Sequence, residues 1–232
     1  AGTMQDPTLF VSAAPRRFPR RGADGIAQAC LGFEAIHFHV SGSEFNQPEH
    51  VRIYSRGDME RIWTFRDSLE PGQLNLRAAQ VQLGYPLERW TVADQSVLGF
   101  RLRRGEAGAR IAHGQLFCLK PPDGEHVLLS QVSWNLMRKD ELHIGIHVLP
   151  GVPQGIAVRS TGANVSPSEH YVRAFFLPAV PALKEEPTLV LSRGWFQPER
   201  IVEVFTDRPA RVRLNGLLNQ GPDFERVTFT RL

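Results

Sequence analysis

The chain has 232 residues, which is enough for one or two small domains, and its 27 Lys and Arg residues against 24 Asp and Glu residues give a formal net charge of +3. A hydrophobic fraction of 42% and a charged fraction of 22% are those of an ordinary globular protein, which excludes wholesale disorder. No run approaches the roughly 18 consecutive apolar residues of a membrane-spanning helix, which excludes a membrane span.

The basic residues are almost all arginine. The lysines are Lys120, Lys139 and Lys184, which leaves 24 arginines. Arginine offers a planar fork of donors that binds phosphate through two hydrogen bonds and stacks on flat rings. High-GC codon usage explains most of this excess, so only a local cluster of arginines points to a ligand.

Residues 1–24 are rich in proline and arginine and have no hydrophobic periodicity, which predicts an arm or extended loop. No basic segment followed by an apolar one marks a secretory signal here, so we expect a cytoplasmic protein. The two cysteines, Cys30 and Cys118, each lie in an apolar run without a CxxC pair, which favours buried side chains over a metal or redox site.

The pattern of residues 26–40 leaves strand and helix open. If the segment is extended, His37 and His39 share one strand face near Glu34. Two histidines do not complete a metal site, so we predict no bound metal and expect ordinary strand histidines.

Residues 41–88 are predicted to be an insertion. A short strand is expected at residues 51–54 and a short helix at residues 58–69, ended by Pro71-Gly72. From residue 88 onward the chain alternates short apolar runs with tight turns, which predicts an antiparallel meander closing into a small barrel. Its strands are expected at residues 90–93, 100–103, 114–119, 126–129, 131–134 and 142–148.

Residues 150–168 are rich in Pro, Gly and small polar residues and are predicted to connect two domains. The remainder has the same β pattern, with strands expected at residues 171–177, 188–191, 200–205, 211–214 and 224–229. The sequence therefore predicts a mainly β protein of two small antiparallel β-barrels, with a short helix or two in the insertion.

Four arginines in six residues form the first candidate binding element. They contain the spacing RxxxR twice, and no acidic residue lies among them. A solvated basic arm is the alternative interpretation. The four residues are Arg16, Arg17, Arg20 and Arg21.

The second element is the DxSxxG sequence of Asp94, Ser96 and Gly99, between two predicted strands. Its structural alternative is a turn held by Asp and Ser side chains with the glycine at positive φ. A carboxylate and a hydroxyl on one turn also match the hydrogen-bonding edge of guanine, and a glycine permits close approach of a flat ring. Together the two elements predict a site for an anionic guanine nucleotide.

No nucleophile elbow, phosphate loop, dinucleotide fingerprint or HExxH pair occurs, which favours a binding protein over an enzyme. A general nucleic-acid binder is a weaker alternative, because the net charge is modest and aromatic residues do not interleave with the basic cluster.

The RxxxR arm, the DxSxxG turn and the later Val-Ser-Trp and Ile-Gly-Ile-His-Val-Leu strands resemble the PilZ domain, over about residues 14–150 and most closely over residues 88–150. The resemblance implies a six-stranded barrel that binds cyclic di-GMP. It implies that Arg16 or Arg17 and Arg20 or Arg21 hold phosphates and stack on guanine. It implies that Asp94 and Ser96 contact the guanine edge and that Gly99 permits the close turn.

The spacing departs from the family, because Arg21 and Asp94 are 73 positions apart where the family has a few dozen. Either residues 41–88 are an insertion, or Arg52 and Arg56 are the functional pair. We prefer the insertion. The resulting organisation is an arm at residues 1–24, a PilZ-like barrel at residues 25–155 and a C-terminal small barrel at residues 165–232.

The implied function is a bacterial cyclic di-GMP receptor and effector in motility, biofilm or pilus regulation. Ligand binding would pull the arm onto the barrel and reorient the second domain. The resemblance implies no cofactor beyond this ligand and no nucleic-acid polymer, and a protein partner is expected at the C-terminal barrel. The alternative is a PilZ-like protein–protein adaptor that has lost nucleotide binding.

Overall fold

The computed structural model describes residues 21–22, 24–48, 85–105, 108–161 and 170–232. Within these ranges the chain forms thirteen strands, one α-helix and one short 3₁₀ helix at Pro181–Leu183. The strands close into two six-stranded antiparallel barrels, which confirms the predicted fold class. The strand and helix predicted at residues 51–54 and 58–69 lie outside the described residues.

The first barrel has the strand order β3-β2-β5-β6-β7-β4 and closes by pairing of β3 with β4. A two-residue strand, β1 (Arg21–Gly22), also pairs with β3. The alternate residues that face inward form an apolar core that includes Trp90, Leu102, Phe117 and Ile144. The bounds are β2 (Ile26–Leu31), β3 (Glu88–Ser96), β4 (Gly99–Gly105), β5 (Leu116–Lys120), β6 (Leu128–Arg138) and β7 (Glu141–Val148).

The segments predicted as separate strands at residues 126–129 and 131–134 form one strand, β6, which extends to Arg138. No glycine or proline interrupts the chain between them, so the ladder continues through a bulge between Val132 and Trp134. The hairpin turn is made by Lys139 and Asp140, both in the left-handed region with φ of 49° and 60°. Two consecutive residues in this region form a hairpin turn whose twist matches the twist of the flanking strands.

Residues Phe33–Ser41 form the helix α1, so His37 and His39 do not share a strand face. Two glycines with positive φ bound the helix: Gly32 before it at φ 87°, and Gly42 after it at φ 72° in the left-handed conformation common at helix C-termini. The His37 ring nitrogen Nε2 lies 3.2 Å from the Ile156 carbonyl oxygen, and His39 Nε2 lies 3.0 Å from the Tyr85 carbonyl oxygen.

The described residues offer neither a metal-binding group nor a membrane-spanning helix. No three His, Cys, Asp or Glu side chains of that part of the chain are grouped so that they could hold a metal ion. None of its helices has the length and apolarity needed to cross a membrane.

The second barrel has the order β10-β13-β12-β11-β8-β9 and closes by pairing of β9 with β10. Its first strand, β8, lies in the stretch predicted as a connection, so the barrel begins at residue 154 and not near 165. Ile156 and Val158 of β8 alternate into the core, but the Pro and Gly residues before them obscured this short pattern. The bounds are β8 (Gln154–Ser160), β9 (Val172–Leu177), β10 (Thr188–Ser192), β11 (Ile201–Phe205), β12 (Pro209–Gln220) and β13 (Phe224–Arg231).

The two barrels share an apolar core formed by their outer faces. In β5, Phe117 points into the first barrel, whereas Leu116 and Cys118 point out of it. These outward side chains belong to one buried cluster with α1 and with second-barrel residues such as Phe175 and Phe224. The Leu116 N–H also donates to Asp223 Oδ1 across the interface, at 2.9 Å. The barrels are therefore joined by a common core.

Removing one large side chain from this shared core tests whether the barrels fold together. We expect Phe175→Ala to lower the free energy of unfolding by about 3–5 kcal/mol, because a fully buried ring is lost and a cavity remains. Amide hydrogen exchange should then quicken in β5 of the first barrel as well as in β9. The control, Ile201→Ala at an exposed position, should change little. Faster exchange confined to the second barrel would show independent folding.

The His37 imidazole makes stability depend on pH. Burial lowers the pKa of His37 below its ordinary value of 6.5; the hydrogen bond to the Ile156 carbonyl opposes this and the charge of Arg173 adds to it. The stabilisation is therefore present above about pH 6.5 and is lost as the pH falls through the lowered pKa. Urea unfolding at about pH 7.5 and about pH 5.5 should show a smaller acid-induced loss in His37→Gln than in the parent chain. Equal losses would contradict this assignment.

Candidate ligand-binding site

The DxSxxG sequence forms the hairpin between β3 and β4. Ser96 pairs directly with Gly99, and Val97 and Leu98 form the two-residue turn. The Ser96 hydroxyl Oγ donates to the Gly99 carbonyl oxygen at 3.3 Å. The Val148 N–H donates to the Leu98 carbonyl oxygen at 3.0 Å, which fixes the turn against the end of β7. The hairpin is thus held on both sides.

Gly99 is not one of the described glycines with a positive φ angle. The alternative that required this angle is therefore wrong on that point, although the Ser96 hydrogen bond that it implied is present. Gly99 pairs with His147 of β7, so the position without a side chain lies between two strands on the barrel wall. Glycine at this position leaves the wall without a side chain between the two strands.

The last residue of the arginine cluster lies beside this hairpin. Arg21 pairs with Gln95, and Gly22 pairs with Asp94. Because neighbouring strand residues face opposite sides, the exposed Arg21 side chain shares the face of Gln95, while Asp94 lies on the face of Gly22. Although Arg21 and Asp94 are 73 positions apart in the sequence, the pairing of β1 with β3 brings their backbones together. The other arginines considered for the site, Arg16, Arg17, Arg20, Arg52 and Arg56, lie outside the described residues.

A row of directly paired residues crosses the outer wall of the barrel from this point. It runs through five strands, in the order Gly22, Asp94, Arg101, Gly145 and Trp134. Asp94 Oδ2 lies 3.9 Å from Arg101 Nη1, and the two side chains are 22% and 40% exposed. Because both groups remain partly in water, this ion pair is weak and a ligand competes with it at small cost.

Trp134 lies across Gly145. A Cβ atom on Gly145 would lie 2.0 Å from Trp134 Nε1, so only glycine leaves room for the indole in this position. Trp134 is 37% exposed, which presents an aromatic surface to solvent on the same wall as Asp94 and Arg101. An exposed indole beside a guanidinium suits a flat, electron-rich ligand.

A second row on the same wall connects the hairpin with the second barrel. It consists of Ser96, Gly99, His147 and Gln131. Gln131 Nε2 lies 3.1 Å from the Gly114 carbonyl oxygen and 3.0 Å from the Gln220 carbonyl oxygen, the latter at the end of β12. The wall that carries the candidate site is therefore hydrogen-bonded to the neighbouring barrel.

Sequence reasoning singled out Asp94, Ser96 and Gly99 but missed Arg101 and Trp134 as site residues. Arg101 could have been found from the two-residue turn, since the closing pair Ser96–Gly99 places β4 directly opposite β3. Trp134 could not, because its place depends on a bulge in β6 that the residues do not announce.

The wall combines the Arg101 guanidinium with a carboxylate, a hydroxyl and an exposed indole, and Arg21 lies on the adjoining strand β1. Arginines bind phosphate oxygens, the carboxylate and hydroxyl hydrogen-bond to the edge of a base, and the indole stacks on its face. The arrangement contains no nucleophile paired with a general base among these residues. Its chemistry is that of binding a planar, anionic molecule.

The chain is similar to one protein family over its second barrel and to one known protein over most of its length. Residues 156–232 match the family described as the FimW C-terminal beta-barrel domain, and this range lies in the second barrel. Over 228 aligned residues the chain is 24% identical to the cyclic-di-GMP receptor FimW of Pseudomonas aeruginosa, covering 82% of this chain. The chain spans 37% of the length of that relative.

A solved structure, MrkH, described as a c-di-GMP-dependent transcription regulatory factor, is also similar to the chain. The likeness covers 63% of this chain and 73% of that one, at 6% identity and a TM-score of 0.24.

The packing of Trp134 on Gly145 predicts the effect of one methyl group. Gly145→Ala should displace the indole, because the new Cβ atom overlaps Nε1. Acrylamide should then quench the emission of Trp134 more strongly, as obtained by difference from Trp134→Phe. The matched control is Gly105→Ala, since a Cβ atom on Gly105 meets nothing within 4 Å. Unchanged quenching in Gly145→Ala would contradict the packing.

Proposed function

We propose that this chain binds cyclic di-GMP on the outer wall of its first barrel and acts as a receptor for that second messenger. The observation that carries the proposal is the pairing of Arg21 and Gly22 with Gln95 and Asp94, which brings the described end of the arginine-rich segment alongside the strand that holds Asp94 and Ser96. The similarity to FimW supports it, since that relative is a cyclic-di-GMP receptor. The resemblance of the motifs to the PilZ domain supports the same assignment for the first barrel.

The proposed roles follow from chemistry. Asp94 accepts hydrogen bonds from the guanine N–H groups, and Ser96 completes the contact with the base edge. Arg21, with Arg16, Arg17 or Arg20, binds the phosphates and stacks on a base. Trp134 offers a stacking surface farther along the row.

Arg101 is proposed to pair with the Asp94 carboxylate until the ligand binds. In the structure it lies 3.9 Å from Asp94, where it offsets the carboxylate charge. When guanine N–H groups reach Asp94, the Arg101 guanidinium is free to turn toward a ligand phosphate. The exchange replaces a weak ion pair by charge-assisted hydrogen bonds, so binding is favoured.

The remaining assignments are coarser. We propose a binding protein without catalysis of its own, acting in the cytoplasm of a bacterium, with cyclic di-GMP as a ligand and not a cofactor. A protein partner is proposed at the second barrel, where Leu217 and Leu218 of β12 are exposed.

Calorimetric titration tests the proposed site. Cyclic di-GMP should bind the parent chain, and Arg21→Ala and Asp94→Ala should each weaken the affinity about tenfold or more, because a charged hydrogen bond contributes about 1.5–3 kcal/mol. Binding should also weaken as salt is raised, since the ligand is a bis-phosphate held by arginines.

The matched controls are Arg193→Ala and Asp207→Ala, which remove the same charges from exposed positions of the second barrel. They should leave the affinity unchanged. Equal weakening of cyclic di-GMP binding in the controls would show that the affinity depends on net charge and not on Arg21 and Asp94. No binding by the parent chain, together with a co-purifying protein, would favour the adaptor that has lost nucleotide binding.

A further inference from the structure

The two ends of the second barrel are closed differently. At the end where β10 finishes, Trp195 and Phe196 follow the strand and pack against the barrel core. The Trp195 ring is covered by Arg200, whose Cζ lies 5.1 Å from the ring centroid. Two large aromatic side chains therefore plug this end.

The opposite end is closed less completely: Phe176 and Phe229 lie there in edge-to-face contact, with ring centroids 6.3 Å apart, and form part of the wall of an opening. Strand alternation carries the inward-facing rows out to this mouth, where two of them end in short or polar residues. The row of Val212 and Leu214 ends in Ala210, and the row of Ile156 and Val158 ends in Gln154. Small side chains at the last layer leave the interior open to solvent.

A cavity of about 360 Å³ results. Apolar side chains form its walls, among them Leu189, Val204, Phe176 and Phe229, of which the first two are buried. An apolar cavity of about 150 Å³ accommodates one benzene, so this one has room for about two fused rings or a medium-length chain. Apolar cavities in the mouths of β-barrels are common ligand sites.

Two charges stand at the rim. Arg231 extends the inward row of Val227 and Phe229, and Asp207 lies in the turn between β11 and β12. Neither has an ion-pair or hydrogen-bond partner for its side chain within the part of the chain that the structure describes. Because Arg231 is carried by a strand in line with the cavity wall, a single anionic group above the mouth meets its guanidinium.

We propose that the mouth of the second barrel binds a small amphiphile, with its apolar body in the cavity and a single anionic group on Arg231. The negative charge of Asp207 repels further anionic groups, so the site binds a ligand with one acidic group and not several. This site lies on a different barrel from the cyclic di-GMP wall and does not depend on that assignment.

The probe is 1-anilinonaphthalene-8-sulfonate, which has fused rings and one anionic group. Its fluorescence should rise saturably at one probe per chain, and decanoate should displace it better than decanol does. Arg231→Gln should weaken probe binding about two- to fivefold, and Asp207→Asn should strengthen it by a similar factor, as for a partly exposed charge pair. The charge-matched control, Arg193→Gln at the plugged end, should leave it unchanged.

Ala210→Trp places a large ring in the mouth and should abolish the saturable signal. Near-ultraviolet circular dichroism and the melting temperature show whether this variant is folded, and Ala210→Leu replaces it if it is not. The proposal is overturned if the parent chain gives no saturable binding, or if a folded mouth-filling variant binds the probe as the parent does. A mouth that accepts only a side chain of a partner protein would give the first of these results.

Discussion

Burial of strand β5 on both faces is the constraint on which the rest of the structure depends. Phe117 and Leu119 fill the first barrel, while Leu116 and Cys118 pack against the second. Each fully buried large apolar side chain contributes about 1.5–3 kcal/mol, so separating the barrels would expose several such contributions at once. A ligand on the first barrel therefore acts on a joined body, and a large reorientation of the second barrel, which the sequence suggested, would be costly. We expect the response to begin at β1, which pairs with the strand that holds Asp94.

The candidate site lies on another part of the same barrel, where β1, β3, β4, β7 and β6 run side by side. Its position follows from two local features, the two-residue turn that closes on Gly99 and the pairing of Arg21 with Gln95. Gln131 joins this wall to the second barrel through the Gln220 carbonyl oxygen. The candidate site and the shared core therefore lie on different faces of one barrel.

Much of this could be predicted from the residues. Period-two alternation and turn sequences gave nearly every strand of both barrels, because alternation directly reports a half-buried strand. Strand β8 was missed, since its short inward pattern follows a run of Pro and Gly, and the helix at His37 was left open because its apolar residues fit either period. Local spacing alone predicts Asp94, Ser96 and Gly99 as candidate site residues, and this assignment stays a prediction. The position of Trp134 on the wall could not be predicted, because it depends on a bulge in β6. Spacing along the chain also does not show which distant strands pair with each other.

The central claim is that guanine binds at the hairpin that holds Asp94 and Ser96. A crystal structure of the chain with cyclic di-GMP tests it most directly. The account predicts a guanine edge on Asp94, phosphates on the arm arginines including Arg21, and Arg101 turned away from its carboxylate partner. Cyclic di-GMP bound elsewhere on the chain, with the contact between Asp94 and Arg101 intact, would contradict it.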